Sequence, residues 1–533
     1  MTSASAEVKL KRFLHYGRET ALYEPGDRYT NNYFLLDNVT SIEAMIADGK
    51  ETDPVAHIVK AFSDGYSAHP QSLVYALALC TRQQTSENLR VAAYNAVKTV
   101  CKAPKDFLLF IKFAYDLAHE SSGWGRGWRR VVTDWYLRKE PMELSECVTK
   151  FRGQYGWTHR DVIKLSHPKS SDVAIAAVLR YVVHGLKEAK KDFGDKPEAQ
   201  QVMSYLQTIE DFKHCDDEHH AARLIEMHSL LLEHVPGHFL KSKEVWTALI
   251  PHLPLGVLLQ NLRRLGRLWL LKGNRPIVAK VLDALNNQSA IAESNLHPAL
   301  VFVTLRNYEC LGKSPAYGPR SPRPDAKTKS PPPQPHPKVV EVLNQLLMTT
   351  FTLLVPTGMR YLVAIDVRSQ MVHGKCWHCS NISPTQAAVL VTLCLVKAER
   401  DVTVVAFGAE GSMQPVELDK NITMKETQNK LKEIPNGAVD LSQPLLWARK
   451  MKKLVDVFII LTDTQVRQRS ADVIQSLQQY RNALNLPNAK LVTCGLAASH
   501  FAVACPNDPG MLDVAGFDAQ VPRVIEAFSR GAF

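Results

Sequence analysis

The sequence predicts two domains of different class: an all-α region of stacked helix pairs, followed by a doubly wound α/β domain. Three observations support this. Residues 10–312 carry apolar side chains at helical spacing, with short polar breaks and no β alternation. Nine prolines then fall within residues 314–338. From Tyr361 onward, short β-branched runs alternate with helical patterns, as in buried parallel strands joined by helices.

Composition and charge narrow the class of partner. A chain of 533 residues is too long for one core, and 45% apolar with 22% charged residues is typical of globular proteins. The net charge is +11. Residues 361–533 hold 18 basic and 16 acidic residues, a net +2, which leaves +9 for the first 360 residues. This excess favours a polyanionic partner such as nucleic acid for the helical region.

Targeting and redox signals point to the cell interior. Met1–Arg12 lacks the apolar core of a signal peptide, and no apolar run approaches the length of a membrane span. The ten cysteines are scattered singly through apolar segments, which is typical of a reduced compartment. We therefore expect a cytoplasmic monomer, with the nucleus as a second location and no membrane partner.

The helical region should consist of antiparallel helix pairs. Pro70, Ser86 and Pro104 each begin an apolar periodic segment, and short polar breaks separate the segments. No exact repeat period is present, so a helical solenoid is favoured without a repeat signature. The proline-rich segment 314–338 carries five basic residues and one acid, and should be an extended loop or linker. A helix over Val339–Leu354 should follow it.

The strongest functional signal lies in Gly123–Lys187. This stretch has twelve Lys or Arg residues against six Asp or Glu, and four of the eight tryptophans. It predicts three amphipathic helices, over Arg126–Leu137, Thr158–His167 and Asp172–Lys187, the second opened by a Thr158/Asp161 capping box. Trp128 and Trp135 fall on the apolar side and should pack in the core. The basic faces carry Arg126, Arg129, Arg130, Arg160, Lys164, His167, Arg180, His184 and Lys187.

Two interpretations of these faces stay open. They suit a surface that meets a polyanion, but solvated faces of ordinary amphipathic helices produce the same pattern.

The second domain should be a parallel sheet with helices between its strands. Strands are predicted over Tyr361–Ile365, Val402–Phe407, Val457–Leu461 and Leu491–Cys494, and helices over Thr385–Glu399, Leu441–Met451, Ala471–Leu484 and Val521–Phe528. Asp366 and Asp463 directly follow two of the strands. Ligands of such sheets bind at the carboxyl ends of the strands, so these aspartates mark a candidate site.

Dispersed motifs carry a resemblance to a known family. The residues are Arg12-Phe13-Leu14, Trp124-Gly125-Arg126, Asp134-Trp135-Tyr136, Gly156-Trp157, Leu165-Ser166-His167, Lys241–Trp246, Pro356-Thr357-Gly358 and Gly510–Asp513. Taken together, they make the chain similar to the Ro autoantigen family, RNA-binding ribonucleoproteins with a TROVE module and a von Willebrand factor A-like domain. The resemblance implies a ring of HEAT-like helical repeats over residues 10–355, closed by an A domain over residues 356–533.

The resemblance also implies two modes of RNA binding and no enzymatic activity. Small structured Y RNAs would bind the basic outer surface, and single-stranded 3′ ends of misfolded non-coding RNA would enter the ring, a role in RNA quality control. His184 resembles a histidine of the Y RNA site. The outer surface would then use Arg160, Lys164, His167, Lys169, Arg180, His184 and Lys187, and the single-strand mode Arg126, Arg129 and Arg130.

The metal motif of the A domain is altered in this chain. Such domains hold Mg²⁺ with Asp-x-Ser-x-Ser, a later Thr and a second Asp, because hard cations need oxygen ligands. Here Arg368 and Gln370 stand in place of the two serines, and Val439 in place of the threonine. Only Asp366 and Asp463 remain. We expect Arg368 to pair with Asp366 in the ion's stead, and the domain to be free of metal.

Other constellations predict no further chemistry. Cys376 and Cys379, with His373 upstream, have the spacing of half a zinc site or a redox pair, but no second ligand pair follows, and a surface loop is expected. His214–His220 should be a surface helix. No phosphate-binding glycine loop or catalytic motif supports an enzyme. The alternative function is a protein-interaction scaffold that docks partners through the A domain, with RNA binding incidental.

Overall fold

The computed structural model describes residues 4–26, 34–118, 124–151, 153–311, 333–463 and 470–533. Most of the predicted proline-rich linker, residues 314–332, lies outside these ranges. No described helix is both long enough and apolar enough to cross a membrane.

The described residues up to 351 form mainly helices, with only three two-residue strands among them, and the predicted helical region is confirmed. Helix α4 packs on α5 and α6, α10 on α11, and α18 on α19. The helices of this region are α1 (Ala6–Tyr16), α2 (Ser41–Ala47), α3 (Asp53–Ser63), α4 (Gln71–Arg82), α5 (Glu87–Val100), α6 (Pro104–Asp116), α7 (Arg126–Leu137), α8 (Pro141–Lys150), α9 (His159–Ser166), α10 (Val173–His184), α11 (Leu186–Phe193), α12 (Gln200–Lys213), α13 (Glu218–His228), α14 (Lys243–Leu249), α15 (Leu255–Arg267), α16 (Pro276–Asn286), α17 (Gln288–Glu293), α18 (Pro298–Glu309) and α19 (Pro337–Phe351).

The second part alternates strands and helices, as predicted. Its helices are α20 (Ser369–His373), α21 (Pro384–Ala398), α22 (Met424–Lys432), α23 (Gln443–Lys450), α24 (Ser470–Ala483) and α25 (Val521–Ser529). The strands found in the described parts of the chain are β1 (Leu22–Tyr23), β2 (Gly153–Gln154), β3 (Trp157–Thr158), β4 (Tyr361–Ile365), β5 (Val402–Phe407), β6 (Met413–Pro415), β7 (Val457–Thr462), β8 (Lys490–Gly495) and β9 (Met511–Ala515).

Local capping explains where several helices begin. The Ser86 hydroxyl accepts a hydrogen bond from the backbone N–H of Leu89 and opens α5. Helix α6 begins at Pro104, where the missing N–H costs nothing because the first turn has no partner for it. The predicted capping box of Thr158 and Asp161 is present at the start of α9.

The predicted third helix begins after Asp172 as expected, but it does not continue to Lys187. Helix α10 ends at His184, Gly185 adopts a φ of 87°, and α11 begins at Leu186. A positive φ is readily adopted only by glycine, so the chain can change direction here. Lys187 therefore lies on a different helix from Arg180 and His184. The short hairpin of β2 and β3 was also missed, because two-residue strands leave no alternating pattern.

Seven strands form one sheet in the order β1-β9-β8-β7-β4-β5-β6, and only β6 is antiparallel to its neighbour. Strands β4 and β5 have the predicted bounds. Strands β1, β6 and β9 were not predicted from the sequence. In β9 the buried Asp513 interrupts the apolar run, and it is satisfied by the Thr493 hydroxyl and the backbone N–H groups of Val503 and Ala504.

Contacts divide the chain into two compact units. The sheet unit consists of Met1–Arg12, Arg18–Asp27 and Pro254–Phe533, and the helical unit of Phe13–Gly17 and Arg28–Leu253. Helices α15–α19 thus belong with the sheet, whereas the sequence predicted a boundary at residue 356. The N-terminal segment supplies the edge strand β1, which pairs in parallel with β9.

Candidate functional site

Helix α7 presents its arginines outward and its tryptophans inward. Arg126, Arg129 and Arg130 are exposed. Trp128 and Trp135 are only 3% and 4% exposed. The Trp135 ring stacks on Phe107 at 3.9 Å between centroids, and its indole N–H donates to the Cys101 carbonyl at 2.7 Å. The predicted core role of both tryptophans is confirmed, so neither is available to stack on a nucleotide base.

A second group of predicted cations is also open to solvent. On α9, Arg160 and Lys164 lie one turn apart, and His167 follows the helix end. These three, together with Lys169, His184 and Lys187, are exposed. Among the described residues none of the six side chains has an ion-pair partner. The term His184 surface denotes these six residues: Arg160, Lys164, His167, Lys169, His184 and Lys187.

Arg180 differs from this group. Its guanidinium is half-buried, with Nε 2.7 Å from the Asp192 carboxylate and Nη2 3.6 Å from that of Glu188. Both acids lie on α11, which folds back beside α10 after Gly185. The guanidinium that was expected to be free is therefore neutralised. Its two acidic partners could not be predicted from a helix that continued through Lys187.

Arg160 and His184 line one groove of ≈ 810 Å³. The fold adds Lys213 and His214 from the end of α12, two residues that the charge pattern did not single out. Lys213 Nζ lies 2.8 Å from Glu210 Oε1 and donates to the Tyr181 hydroxyl at 3.0 Å. Burial opposes the shift, but hydrogen bonds from Lys213 and Tyr181 lower the pKa of the Glu210 carboxyl.

The groove itself has balanced formal charge at neutral pH. Two basic residues, Arg160 and Lys213, are matched by Asp161 and Glu210. The positive potential of this region must therefore come from the lysines of the His184 surface outside the groove.

The expected surface helix over His214–His220 is present only in its second half: residues 214–217 connect two helices, and Glu218–His220 form the first turn of α13. Helix α12 ends at Lys213 and α13 begins at Glu218. Within the described ranges, no three His, Cys, Asp or Glu side chains are grouped so that they could hold a metal ion.

A more strongly basic groove of ≈ 750 Å³ lies between α5 and α7, and is called the α5–α7 groove. Its ionisable lining consists of five basic residues, Arg82, Arg90, Lys98, Arg130 and Arg138, and two acidic residues, Glu87 and Asp134.

Arg82 is held in place at this groove. Its guanidinium carbon lies 4.3 Å from the centroid of the Trp128 ring, and its Nε donates to the Ala114 carbonyl at 2.7 Å. Burial lowers the pKa of Arg82, because the charged form has lost part of its hydration.

Of the five basic residues that line this groove, only Arg130 was predicted from the sequence as a binding residue. Arg126 and Arg129, which were grouped with it, do not line the groove. Arg82, Arg90 and Lys98 come from α4 and α5, so no local periodicity could link them to α7. Only the packing of α5 against α7 brings these charges together.

The carboxyl edge of the sheet holds the second candidate site. Strands β4 and β7 are neighbours in parallel register, so Asp366 and Asp463 emerge side by side. They are only 1% and 6% exposed. Arg368 Nε donates to both carboxylate oxygens of Asp366 at 3.1 Å, and its Nη2 donates to Asp366 Oδ2 at 2.7 Å and Asp463 Oδ1 at 2.8 Å. The predicted pairing of Arg368 with Asp366 is present.

The residues at this edge do not fit a hydrated Mg²⁺ ion. Val439 is 9% exposed and packs in the core beneath the sheet, so it offers no oxygen. Gln370 is exposed on α20. Arg368 occupies the space between the carboxylates, and hydrogen bonding to Asp366 raises its pKa, which keeps the guanidinium charged.

Cys376 and Cys379 are buried rather than part of a surface loop. Their backbones form a bridge, and the N–H of Trp377 donates to the Leu496 carbonyl at 3.0 Å. Burial raises the pKa of Cys379 to about 12 and that of Cys376 well above its ordinary value. The thiolate is the form that binds metals and reacts, so these two buried thiols are more suited to packing the loop than to chemistry.

Comparisons with known proteins agree with this architecture. Residues 30–313 match the model of the TROVE domain, and residues 360–529 match that of the Ro60 vWA domain. The RNA-binding protein RO60 of Deinococcus radiodurans is 29% identical over 471 residues, covering 87% of this chain and 82% of the relative. The RNA-binding protein RO60 of Caenorhabditis elegans is 24% identical over 590 residues, covering 99% and 88%.

A solved structure shows the same fold. The crystal structure of the Deinococcus radiodurans RO (RSR) protein matches with a TM-score of 0.82 and 27% identity, over 99% of this chain and 100% of that one. The TROVE match alone spans more than half of the 533 residues. The chain is therefore a member of the Ro family, with a TROVE module followed by a von Willebrand A domain of the Ro60 type.

Proposed function

We propose that this protein binds RNA through two separate basic surfaces of its helical unit. Two observations carry the proposal: the six exposed side chains of the His184 surface have no ion-pair partner among the described residues, and five basic residues face two acidic ones in the α5–α7 groove. Two relatives that match most of the chain bear the name RNA-binding protein. Exposed Lys and Arg side chains release condensed counterions when they meet phosphates, and that release supplies much of the affinity for nucleic acid.

The His184 surface would bind a small structured RNA of the Y RNA kind. Its exposed side chains on α9 and α11 can reach phosphates and 2′-hydroxyls across the shallow groove of an RNA helix. Histidine at position 184 can add hydrogen bonds beside Arg160 in the same groove. Arg180 has a different role, since its ion pairs with α11 hold the two helices in this arrangement.

The α5–α7 groove would take a single-stranded 3′ end, as expected for a protein that sorts misfolded non-coding RNA. A groove with a surplus of three positive charges can follow a phosphate backbone without reading its sequence. Tyr94 lines the same groove and is half-buried, which leaves part of its ring for contact with a base. Absence of catalysis, a monomeric state and a cytoplasmic location remain part of the proposal.

Charge reversal should separate the two modes. Lys98→Glu with Arg130→Glu should weaken binding of a single strand of about 10 uridines, and should lower the slope of log K against log salt by about 2. Arg160→Glu with Lys164→Glu should do the same for a hairpin RNA and leave the uridine strand unaffected. Fluorescence anisotropy titrations at several salt concentrations measure both effects.

The matched control is Arg126→Glu with Arg129→Glu, which reverses two exposed charges on α7 outside the α5–α7 groove. If this control weakens the uridine strand as much as the groove variant, the groove is not the single-strand site. If none of the variants changes either affinity, and a protein partner stays bound after nuclease treatment, the scaffold alternative is favoured over RNA binding.

A further inference from the structure

The carboxyl edge of the sheet carries a charge arrangement that the RNA-binding proposal does not use. Asp366 and Asp463 are both almost fully buried, and both approach one nitrogen, Arg368 Nη2. Two ionised carboxylates this close repel each other unless a cation lies between them. The side chain of Arg368 supplies that cation.

We propose that this edge is a latent divalent-cation site in which the guanidinium of Arg368 permanently takes the place of the ion. Only part of an oxygen ligand set remains at this edge: the Asp366 and Asp463 carboxylates, and the Thr462 hydroxyl, which lies 2.8 Å from Asp366 Oδ2. Hard cations such as Mg²⁺ and Ca²⁺ select oxygen ligands of this type and complete their shells with water.

The hydrogen bonds of Arg368 show that it contacts both carboxylates that a divalent ion would bind. Its backbone N–H donates to Asp366 Oδ1 at 2.9 Å, and its side chain contacts both oxygens of that carboxylate. The same Nη2 reaches Asp463 on the neighbouring strand at 2.8 Å. A planar guanidinium can bridge two carboxylates in this way, whereas an ammonium group would act as a single point charge.

Two consequences follow for the A domain. The edge of the sheet should be held in one state at all physiological concentrations of divalent cation, because its positive charge is covalently attached. Removal of the arginine side chain should leave two buried carboxylates without compensation, and a divalent ion should then be able to occupy the site.

The test compares thermal unfolding of the full chain in EDTA and in Mg²⁺, Mn²⁺ or Ca²⁺. The unsubstituted protein should unfold at the same temperature in all of these buffers. Arg368→Ala should lower the unfolding temperature of the sheet unit by about 5–10 °C in EDTA. A divalent ion should restore at least half of this loss, and Tb³⁺ luminescence should report one bound ion per chain of the variant only.

The matched control is Arg360→Ala. Arg360 also forms a two-pronged ion pair, with Asp456, but only one carboxylate is involved. Divalent ions should not restore the stability of this variant. Arg368→Lys provides a second measurement if Arg368→Ala does not fold, and it should give an intermediate loss with no ion bound.

Stoichiometric binding of Mg²⁺ or Tb³⁺ by the unsubstituted protein would overturn the proposal. The proposal would also be overturned if the Arg368→Ala protein unfolded at the same temperature as the unsubstituted protein in EDTA and bound no divalent ion. Neither outcome bears on the RNA-binding surfaces, which lie in the helical unit, so the two proposals can fail independently.

Discussion

Buried polar side chains in the helical unit couple its stability to pH. His159 is 1% exposed, and the Tyr136 hydroxyl lies 2.8 Å from its Nδ1. Burial lowers the pKa of His159 from 6.5 to about 4, and Lys139 adds to this shift. The ring is therefore neutral in the folded protein down to acidic pH, while in the unfolded chain it binds a proton near pH 6.5.

This difference predicts acid sensitivity. Because the pKa of His159 is lower in the folded protein, its contribution to the free energy of unfolding is fully present above pH 6.5. That contribution is lost as the pH falls from 6.5 towards 4. At pH 4.5 the loss should be about 2–3 kcal/mol of the unfolding free energy. His159→Phe should reduce the difference between urea unfolding at pH 7.0 and at pH 4.5 by about that amount. His167→Ala, at an exposed histidine, is the control. If both substitutions changed the pH dependence equally, His159 would not be the source of the acid sensitivity.

At the scale of secondary structure, one glycine decides which cations share a surface. Gly185 joins α10 to α11 with a φ of 87°. The turn places Glu188 and Asp192 beside Arg180, and it separates Lys187 from the helix that carries His184. A continuous helix would have left Arg180 free and produced a different basic face.

Gly185→Ala should therefore destabilise the helical unit by about 1–3 kcal/mol, through backbone strain alone. A Cβ at this position would meet no atom within 4 Å, so a steric clash does not contribute. Gly256→Ala, within α15, also meets no atom within 4 Å and has no positive φ. It should be neutral or stabilising by up to about 1 kcal/mol. The free energies of unfolding of Gly185→Ala and Gly256→Ala, measured by chemical denaturation, distinguish backbone strain at Gly185 from a general effect of replacing glycine by alanine.

On the scale of the whole molecule, residues near the N-terminus pack and hydrogen-bond with the C-terminal strands of the sheet. Arg12 is 2% exposed and donates to the carbonyls of Pro506 at 2.9 Å and Asp508 at 3.0 Å. The Asp513 N–H of β9 donates to the Ala21 carbonyl at 2.9 Å. A fragment that begins at the predicted boundary, residue 356, would lack both of these contacts and the strand β1.

Arg12→Met should loosen β9 without removing the packing of the long side chain. The loss of hydrogen bonds from a charged donor to two backbone carbonyls should cost about 2–4 kcal/mol. Amide hydrogen exchange in β9 should accelerate by about 30-fold or more. Lys11→Met removes a half-buried ion pair with Glu7 on the same helix, and should change amide exchange in β9 little. Equal exchange in both variants would show that Arg12 does not hold this edge.

Local patterns in the sequence determined much of this protein. Helical periodicity and caps located α4–α7 and α9, β-branched runs located β4, β5, β7 and β8, and charge registry located the exposed faces of α7 and α9. The substitution of Arg368 for a hydroxyl ligand was sufficient to predict its pairing with Asp366, because two residues on one loop are close whatever the rest of the fold does.

The tertiary structure alone decided which distant residues meet. It assembled the α5–α7 groove from Arg82, Arg90, Lys98, Arg130 and Arg138, it neutralised Arg180, and it joined β1 to β9. These contacts cannot be predicted from sequence periodicity. Each residue fits the pattern of its own helix or strand, whichever other element that helix or strand packs against. Sequence determines such contacts only through the packing of whole elements, and that packing becomes visible only in three dimensions.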